Sequence, residues 1–530
     1  MDASRVDTRI WAREQFGLAD LGDRRCTERL TLVAARMAAD PSASIPGPME
    51  GWAETKAAYR LLDADGVSFG AIATPHRQRT RACGPGRFLV VGDTTELDFG
   101  IHRQVADLAP TGNGGGYGFH LHAALVVGAA DERIVGLAGE VVHYRKPAPE
   151  GEDTGQRLKR DRESDVRGDV IDQVGPPAAE TQWVHVLDRG VDNFDVYCRC
   201  RERKADWVAR ASMLNRKVTD LGGNATAARD LAVSPPEAGR FTLELRARPK
   251  QPARHARLTV RYTPVTMPVP RHKSRYVRRI DALPVPMWLV VVAEVDGPPG
   301  VKPIDWVLCT SLPVESFEQA MVVVSYYEKR RLIEGYFKAL KSGCRVTGRQ
   351  LKTKGRLEAL VGLLSVVAVR LLQLKAHART DPDRPAVEVV PSRYVSPLEL
   401  ARGAQPGDDG ERRPLLSGTG RARGILGAEA GRRCGLDHDL ARLGEASADD
   451  EGGGGGRGTR PLRCGLAGKD KPYSPELNRI EGVFRQVKHQ EIPHRSHTTR
   501  AGLREAVTKG FVSYGRRLRP STPSELRPAA

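Results

Sequence analysis

Apolar positions along this chain change period several times, and each change marks an element. Hydrophobic residues recur at helical spacing in Trp11–Phe16, Arg24–Ala39 and Trp52–Leu62, with Pro41–Pro48 interrupting them. Residues 1–75 are therefore expected to form a small helical unit. Residues 76–200 alternate short apolar runs with helical patterns, as an α/β sheet requires. Phe241–Leu245, Leu258–Tyr262, Met287–Val295 and Trp306–Cys309 are strand-like and predict a β insertion at about 200–315. The longest apolar stretch, Leu363–Val369, sits in a helical pattern and is cut by Arg370, so it reads as core. No run approaches the roughly 18 apolar residues that span a bilayer. Gly112–Gly118 lacks both a GK[ST] ending and a GxGxxG followed by a helix, and it reads as a loop. From about Ala401 glycine, arginine and alanine dominate, Gly452–Gly456 is a homopolymer, and periodicity fades.

Two strand patterns lead into acids. Phe88–Val91 precedes Asp93-Thr94-Thr95, and Trp183–Leu187 precedes Asp188-Arg189 and Asp192. A single aspartate after a strand is usually a turn former or helix cap. Sites in open α/β sheets gather at the carboxyl ends of strands, so two such aspartates can converge. Further on, Tyr327, Arg330, Glu334 and Lys341 stand at offsets 0, 3, 7 and 14. On one continuous helix these share a narrow arc, presenting a carboxylate flanked by cations and a phenol. That set suits a metal ion facing a phosphodiester; a solvated face of charge pairs is the commoner meaning of such a cluster. Asp93, Asp188 and Glu334 together make a candidate three-carboxylate cage for paired divalent ions.

Charge narrows the partner. Lysine and arginine total 83 against 65 acids, a formal net charge of +18, which suits a polyanion and a salt-sensitive affinity. The N-terminus shows no signal-peptide apolar region. Eight scattered cysteines form neither a disulfide framework nor a paired zinc pattern, and Cys198-x-Cys200 stands alone. A reducing, cytoplasmic and nucleoid-associated setting is expected, with no membrane partner.

The sequences Asp93-Thr94-Thr95, Asp188-Arg189-x-x-Asp192 and Tyr327-x2-Arg330-x3-Glu334-x6-Lys341 resemble the signature of DDE transposases of the insertion-sequence-four family. This is the cut-and-paste group to which the transposon-five transposase belongs. The resemblance spans about Trp11 to Leu374 and includes Leu21-Gly22-Asp23-Arg24-Arg25, Lys56-Ala57-Ala58-Tyr59-Arg60, Thr111–Gly116, Trp306–Ser311 and Pro313–Ser316. It implies a ribonuclease-H-like α/β core (76–380) interrupted by the β insertion and preceded by a helical DNA-end-binding domain (1–75). It implies further that Asp93, Asp188 and Glu334 hold two Mg2+ or Mn2+ ions. Tyr327, Arg330, Lys338 and Lys341 would contact phosphates near the cleaved end, with Arg189 also on the DNA. Trp306 would stack on a flipped base; a buried strand tryptophan is an equally ready reading. Double-stranded DNA, as terminal inverted repeats and target, is the implied partner, and a homodimer the implied assembly. Two positions depart from the pattern: Gly190 stands where the family has Glu, and Arg167 where it often has Trp.

The remainder divides at about 460. Residues 381–460 read as a frameshifted linker: back-translation of Gly424–Gly452 permits a shifted reading with an FLGRK…GWEKLQ pattern like the family's own C-terminal region. Its dimerisation helices are then expected to be lost. Tyr473-Ser474-Pro475-Glu476-Leu477-Asn478-Arg479-Ile480-Glu481, with Phe484 and Lys488, resembles the tail of insertion-sequence-six-thirty family transposases, with Arg479 in place of Pro. Residues 461–530 are accordingly expected to be a basic helical remnant. The chain is expected to catalyse transposition. A nuclease lacking strand transfer, or an impaired relic that binds ends or inhibits intact partners, stays open.

Overall fold

The computed structural model describes residues 3–380 except 101–104, 106, 113–115, 147–148, 158–162 and 246–251. The chain divides into units Met1–Ser447 and Ala448–Ala530, and every described residue belongs to the first. The expectations for 381–460 and 461–530, Glu481 included, lie outside the described residues.

In chain order the elements are α1 Ala3–Phe16, α2 Arg24–Ala39, α3 Gly51–Leu61, α4 Phe69–Arg81, β1 Gly86–Asp98, β2 Ala109–Thr111, β3 Gly116–Gly128, β4 Ile134–His143, α5 Thr154–Arg157, α6 Glu163–Val174 and β5 Thr181–Leu187. Then follow α7 Phe194–Glu202, β6 Asp206–Arg210, β7 Lys217–Thr219, β8 Ala225–Ala227, α8 Ala228–Val233, β9 Gly239–Leu245, β10 Arg254–Met267, β11 Val285–Val295, β12 Asp305–Thr310, α9 Phe317–Glu328, α10 Arg331–Lys338 and α11 Lys354–Thr380.

The three expected N-terminal helices form where the apolar spacing put them. Asp23 caps α2 by accepting from the Arg25 amide at 2.8 Å, and Ser68 caps α4 by accepting from Ala71. These helices share one core with the sheet and α11, through Phe16, Leu30, Ile72 and Leu363. Residue 75, the expected boundary, falls inside α4.

β1 runs antiparallel to β3, which runs antiparallel to β4, while β5 pairs parallel with β1 and β6 parallel with β5. The order β4-β3-β1-β5-β6 therefore puts three antiparallel strands beside two parallel ones. The insertion does not interrupt this sheet as a separate body. β12 pairs antiparallel with β6, followed by β11 and β10, so the inserted strands prolong the same sheet. The open edge of β6 supplies unpaired backbone groups, and β12 satisfies them.

Alternation along β1 sorts the two faces. Leu89 and Val91 join the core under α10 and α11, with Ile333, Tyr336 and Leu364. Phe88 and Val90 face the other side and pack with Val170 and Val174 of α6. The glycine stretch expected to be only a loop extends into β3 at Gly116 and Gly118. A Cβ on Gly118 would collide with the Leu97 carbonyl of β1, so close backbone approach demands glycine there.

The expected core placement of Leu363–Val369 holds, since these residues lie buried in α11. Lys354–His377 is long and apolar enough to cross a membrane by length and composition, although no unbroken apolar run signalled it; 72% of its window is buried inside the protein. That burial against α4, β4 and α10 accounts for its composition.

Tyr336 of α10 is pinned to the sheet by donating to Glu140 Oε1 of β4 at 3.1 Å. Burial pushes the Glu140 carboxyl from 4.5 up to about 7, against the pull of Arg77. Ser365 lies near enough to lower it slightly, yet its Oγ and Glu140 Oε2 miss hydrogen-bond geometry. The folded protein thus holds a proton that the unfolded chain has released between those two pH values. Stability from this group is full below about 4.5 and declines as pH rises through about 7. Glu140→Gln should remove the slope. Its stability relative to the parent should improve by about 3 kcal/mol between pH 4.5 and 8 in denaturant titrations, and a pH-independent difference would refute the assignment.

Candidate active site

The parallel register of β1 and β5 decides where the two aspartates stand. Its last paired rung is Val91 with Val186, and the same offset carries Asp93 opposite Asp188 two residues further on. β1 does not stop at Asp93, as the pattern implied; it continues to Asp98 on β3 alone. Asp93 therefore sits at the fork where β5 leaves the sheet. Burial pushes its carboxyl above the usual range, the Arg330 guanidinium pulls it back, and the nearby Asp188 charge adds to the rise. Asp188 Oδ1 is buried without a hydrogen-bond partner, and Arg167 Nη1 of α6 lies 3.6 Å from it. The motif's second acid has a different task. Asp192 is buried and accepts from Tyr197, the Ser212 and Met213 amides and Arg216, which together outweigh burial and lower its pKa.

The expected single helix through Tyr327 and Lys341 is broken into three pieces. α9 ends at Glu328, α10 begins at Arg331, and Ala339–Gly343 forms a π turn. At the first break Arg330 N bonds Tyr327 O and Ile333 N bonds Arg330 O, so i→i+3 bonds replace i→i+4. The break lets the buried Arg330 side chain enter between two acids. Its Nη1 donates to Asp93 Oδ2 at 2.8 Å and its Nη2 to Glu334 Oε1 at 2.9 Å. Glu334 thus reaches the aspartates from the α10 face with Arg330 as the link.

Tyr327 is buried beside this link. Burial raises its phenol pKa, while the nearby Arg210 and Arg330 charges oppose the rise. Trp306 of β12 is also buried and packs edge-on against Tyr327, ring centroids 5.6 Å apart. Of its two readings, the buried strand tryptophan describes its position here. Arg189 opens the 3-10 turn Arg189–Val191 and stands near Arg210, whose pKa burial lowers first and Arg189 further. Lys338 ends α10. Lys341, exposed on the π turn, is desolvated enough that its pKa falls, with Glu96 of β1 pulling the other way. Sequence order alone did not tie Arg210 to this site, and it marked Arg167 only as a departure from the family pattern, not as a neighbour of Asp188.

Among the described residues, no three His, Cys, Asp or Glu side chains are gathered closely enough to hold a metal ion. With Arg330 between Asp93 and Glu334, the three acids form a linked chain of charges in place of a closed cage. The donor chemistry, three carboxylates, is nonetheless of the kind a divalent ion takes. Asp188 presents a buried carboxylate oxygen that accepts no hydrogen bond, its charge raises the Asp93 carboxyl further, and Arg167 Nη1 stands 3.6 Å from that oxygen. The described cysteines take no part: Cys26, Cys83, Cys198, Cys200, Cys309 and Cys344 are free thiols, the last four buried.

A family model described as transposase DNA-binding matches residues 8–67. This chain carries a transposase DNA-binding domain. DNA is therefore a partner of this transposase-type chain, and the +18 net charge is consistent with it. The matched domain comprises α1, α2 and α3. On α3 the outward positions include Trp52, Lys56 and Arg60, spaced i, i+4, i+8 along one exposed stripe, with Trp52 77% exposed. Thr55, Ala58 and Leu61 form the buried side of the same helix. An exposed indole beside two cations is the chemistry of a nucleic-acid contact. The 4-residue spacing of Trp52, Lys56 and Arg60 is visible in the sequence, whereas their shared exposure is set by the packing of Thr55, Ala58 and Leu61 on the other side.

Proposed function

We propose that the protein is a DDE transposase with a ribonuclease-H-like core, binding transposon ends through 8–67 and cutting and joining DNA at Asp93, Asp188 and Glu334. The observation that carries the proposal is the register of β1 and β5, which brings Asp93 and Asp188 abreast while α10 supplies Glu334 from above. The strand order β4-β3-β1-β5-β6, three antiparallel and two parallel, supports the same reading. So does the DNA-binding match at 8–67.

Asp93, Asp188 and Glu334 would hold Mg2+ or Mn2+, which supplies Lewis-acid charge at phosphate oxygens and an activated nucleophile. The chain's own groups do the rest. Arg330 holds Asp93 and Glu334 together in the metal-free protein and would have to give up those bonds as an ion enters between them. In this reading, freed Arg330, with Tyr327, Lys338 and Lys341 of the same helical segment, would supply donors to phosphates beside the scissile bond. Arg189 extends that cationic rim at the carboxyl end of β5. Strand cleavage, hairpin formation and strand transfer are all in-line displacements at phosphorus, so one constellation serves each.

The experiment is the metal-dependent joining of a labelled DNA end into a supercoiled plasmid. End cleavage with no joining would reduce the proposal to a nuclease; no metal-dependent cleavage of any end would sink it. The DNA-binding arm has its own test. Lys56→Ala and Arg60→Ala should each weaken end binding about tenfold at 0.15 M salt and flatten the dependence of log affinity on log salt by about one unit. Unchanged gel-shift affinity in both would move the contact off α3.

A further inference from the structure

Arg167 and Gly190 share one piece of space. A Cβ built on Gly190 would fall inside the Arg167 guanidinium, with Nη2 at 2.8 Å and Cζ at 2.9 Å, and Nη1 closer still. The Nη edge of the guanidinium therefore abuts the Arg189–Val191 turn at Gly190, and a side chain there would push the guanidinium away. Gly190 is exposed, and its φ is not among the positive ones, so the backbone itself does not ask for glycine. The same guanidinium points Nη1 at Asp188 Oδ1, 3.6 Å away, which is an ion pair longer than a hydrogen bond. That oxygen is buried with no hydrogen-bond partner.

Arg167 belongs to α6, on the sheet face lined by Phe88 and Val90; Arg330 belongs to the opposite face, with α10. Two guanidinium groups thus approach the three acids from opposite sides of the sheet. Arg330 takes Asp93 and Glu334 through hydrogen bonds, and Arg167 stands off Asp188 without one.

We propose that Arg167, seated by Gly190, is a positioning counter-ion for Asp188 that divalent cations must displace electrostatically to occupy that carboxylate. This rests on the reading of Asp188 as a metal ligand. A cation standing off at 3.6 Å steadies the carboxylate in the metal-free protein yet leaves its oxygen undonated and available. The same positive charge opposes an incoming divalent ion. The side chain at 190 sets how strongly it does so.

Mn2+ binding to the full-length protein, followed by the loss of free-ion paramagnetic resonance signal, reads this directly and needs no DNA and no turnover. Arg167→Ala should tighten Mn2+ binding about tenfold, and Arg167→Lys by less. Gly190→Ala displaces only the flexible end of Arg167, so the fold tolerates it, and it should tighten binding in the same direction. The double variant should bind no more tightly than Arg167→Ala alone, because both changes act on one group. Affinities unchanged in Arg167→Ala and Gly190→Ala, with Asp188→Asn still abolishing binding, would overturn the counter-ion assignment alone. Mn2+ binding indifferent to Asp188→Asn would overturn the metal-ligand reading and this inference with it. Additive effects in the double variant would show that Gly190 acts apart from Arg167 and would end the coupling.

Discussion

Asp188→Asn should abolish cleavage and joining of DNA ends, by at least about a thousandfold, while making the protein more stable. The catalytic half follows from the role proposed for the carboxylate. A neutral amide cannot hold a divalent ion as a carboxylate does, and such an ion contributes several kcal/mol of transition-state stabilisation, at about 1.4 kcal/mol per tenfold in rate. The stability half follows from the structure. Asp188 Oδ1 is a buried oxygen without a hydrogen bond, next to another acid, and an isosteric amide removes that repulsion. Asp192→Asn, four residues away, should do the reverse. Its carboxylate accepts from Tyr197, Ser212, Met213 and Arg216, so losing the charge should lower stability by about 2 kcal/mol. Two acids of one motif are thereby separated into a site residue and a structural one by denaturation midpoints and end-joining assays on the same preparations. Asp188→Asn protein that still joins ends, or that loses stability as Asp192→Asn does, would contradict the assignment.

Arg330→Ala should cost about 3 kcal/mol of stability in metal-free buffer, the scale expected when one partner of a largely buried ion pair is removed. Arg330 is 6% exposed and bonds both Asp93 and Glu334, so its loss leaves two acids close together without compensation. The deficit should shrink on acidification. Burial and Asp188 already hold the Asp93 pKa above its unfolded value; without the guanidinium it rises further. The variant then takes up a proton on folding as pH falls through that raised pKa, and the repulsion is relieved. Millimolar Mg2+ or Mn2+ should also restore part of the loss, since a bound cation adds stability by mass action. Chemical denaturation at pH 5 and pH 8, each with and without metal, gives the four numbers needed. A deficit independent of both pH and metal would mean that Arg330 holds the helix break alone and not the acids.

Much of this arrangement was legible along the chain, and the reason differs between elements. The strands of β1, β5 and β9 to β12 announced themselves because an apolar run between turn residues has few other folds available. Asp188 and Glu334 stand where a local reading expects a polar residue, after a strand and on a polar helix position, whereas Asp93 lies inside β1, which continues to Asp98. Arg330 was assigned to phosphates by resemblance, whereas its bonds here run to Asp93 and Glu334. That link depends on a backbone break between α9 and α10, which no periodicity encodes, since Tyr327, Arg330 and Glu334 fit an unbroken helix equally well. The joining of β12 to β6 was equally hidden: strand pairing across about a hundred residues is a choice among edges, made by which backbone groups lack partners. Trp306 was left with two readings because an indole fits a strand core or a base stack alike; its buried place against Tyr327 is a tertiary fact.

By itself the sequence determined element types, the acids and cations proposed for the site, the positive charge that suits DNA, and two departures from a familiar pattern at 167 and 190. Those are properties of single side chains and of their spacing over a few turns. Only the tertiary structure decided that Asp93 lies abreast of Asp188, that Arg330 bridges two acids, and that Arg167 abuts Gly190. Apart from the local Arg330–Glu334 bond, these pair residues between about twenty and two hundred and forty positions apart. Strand register and the stacking of helices on opposite faces of a sheet bring such residues together, and both are set by burial of the whole core rather than by any local preference.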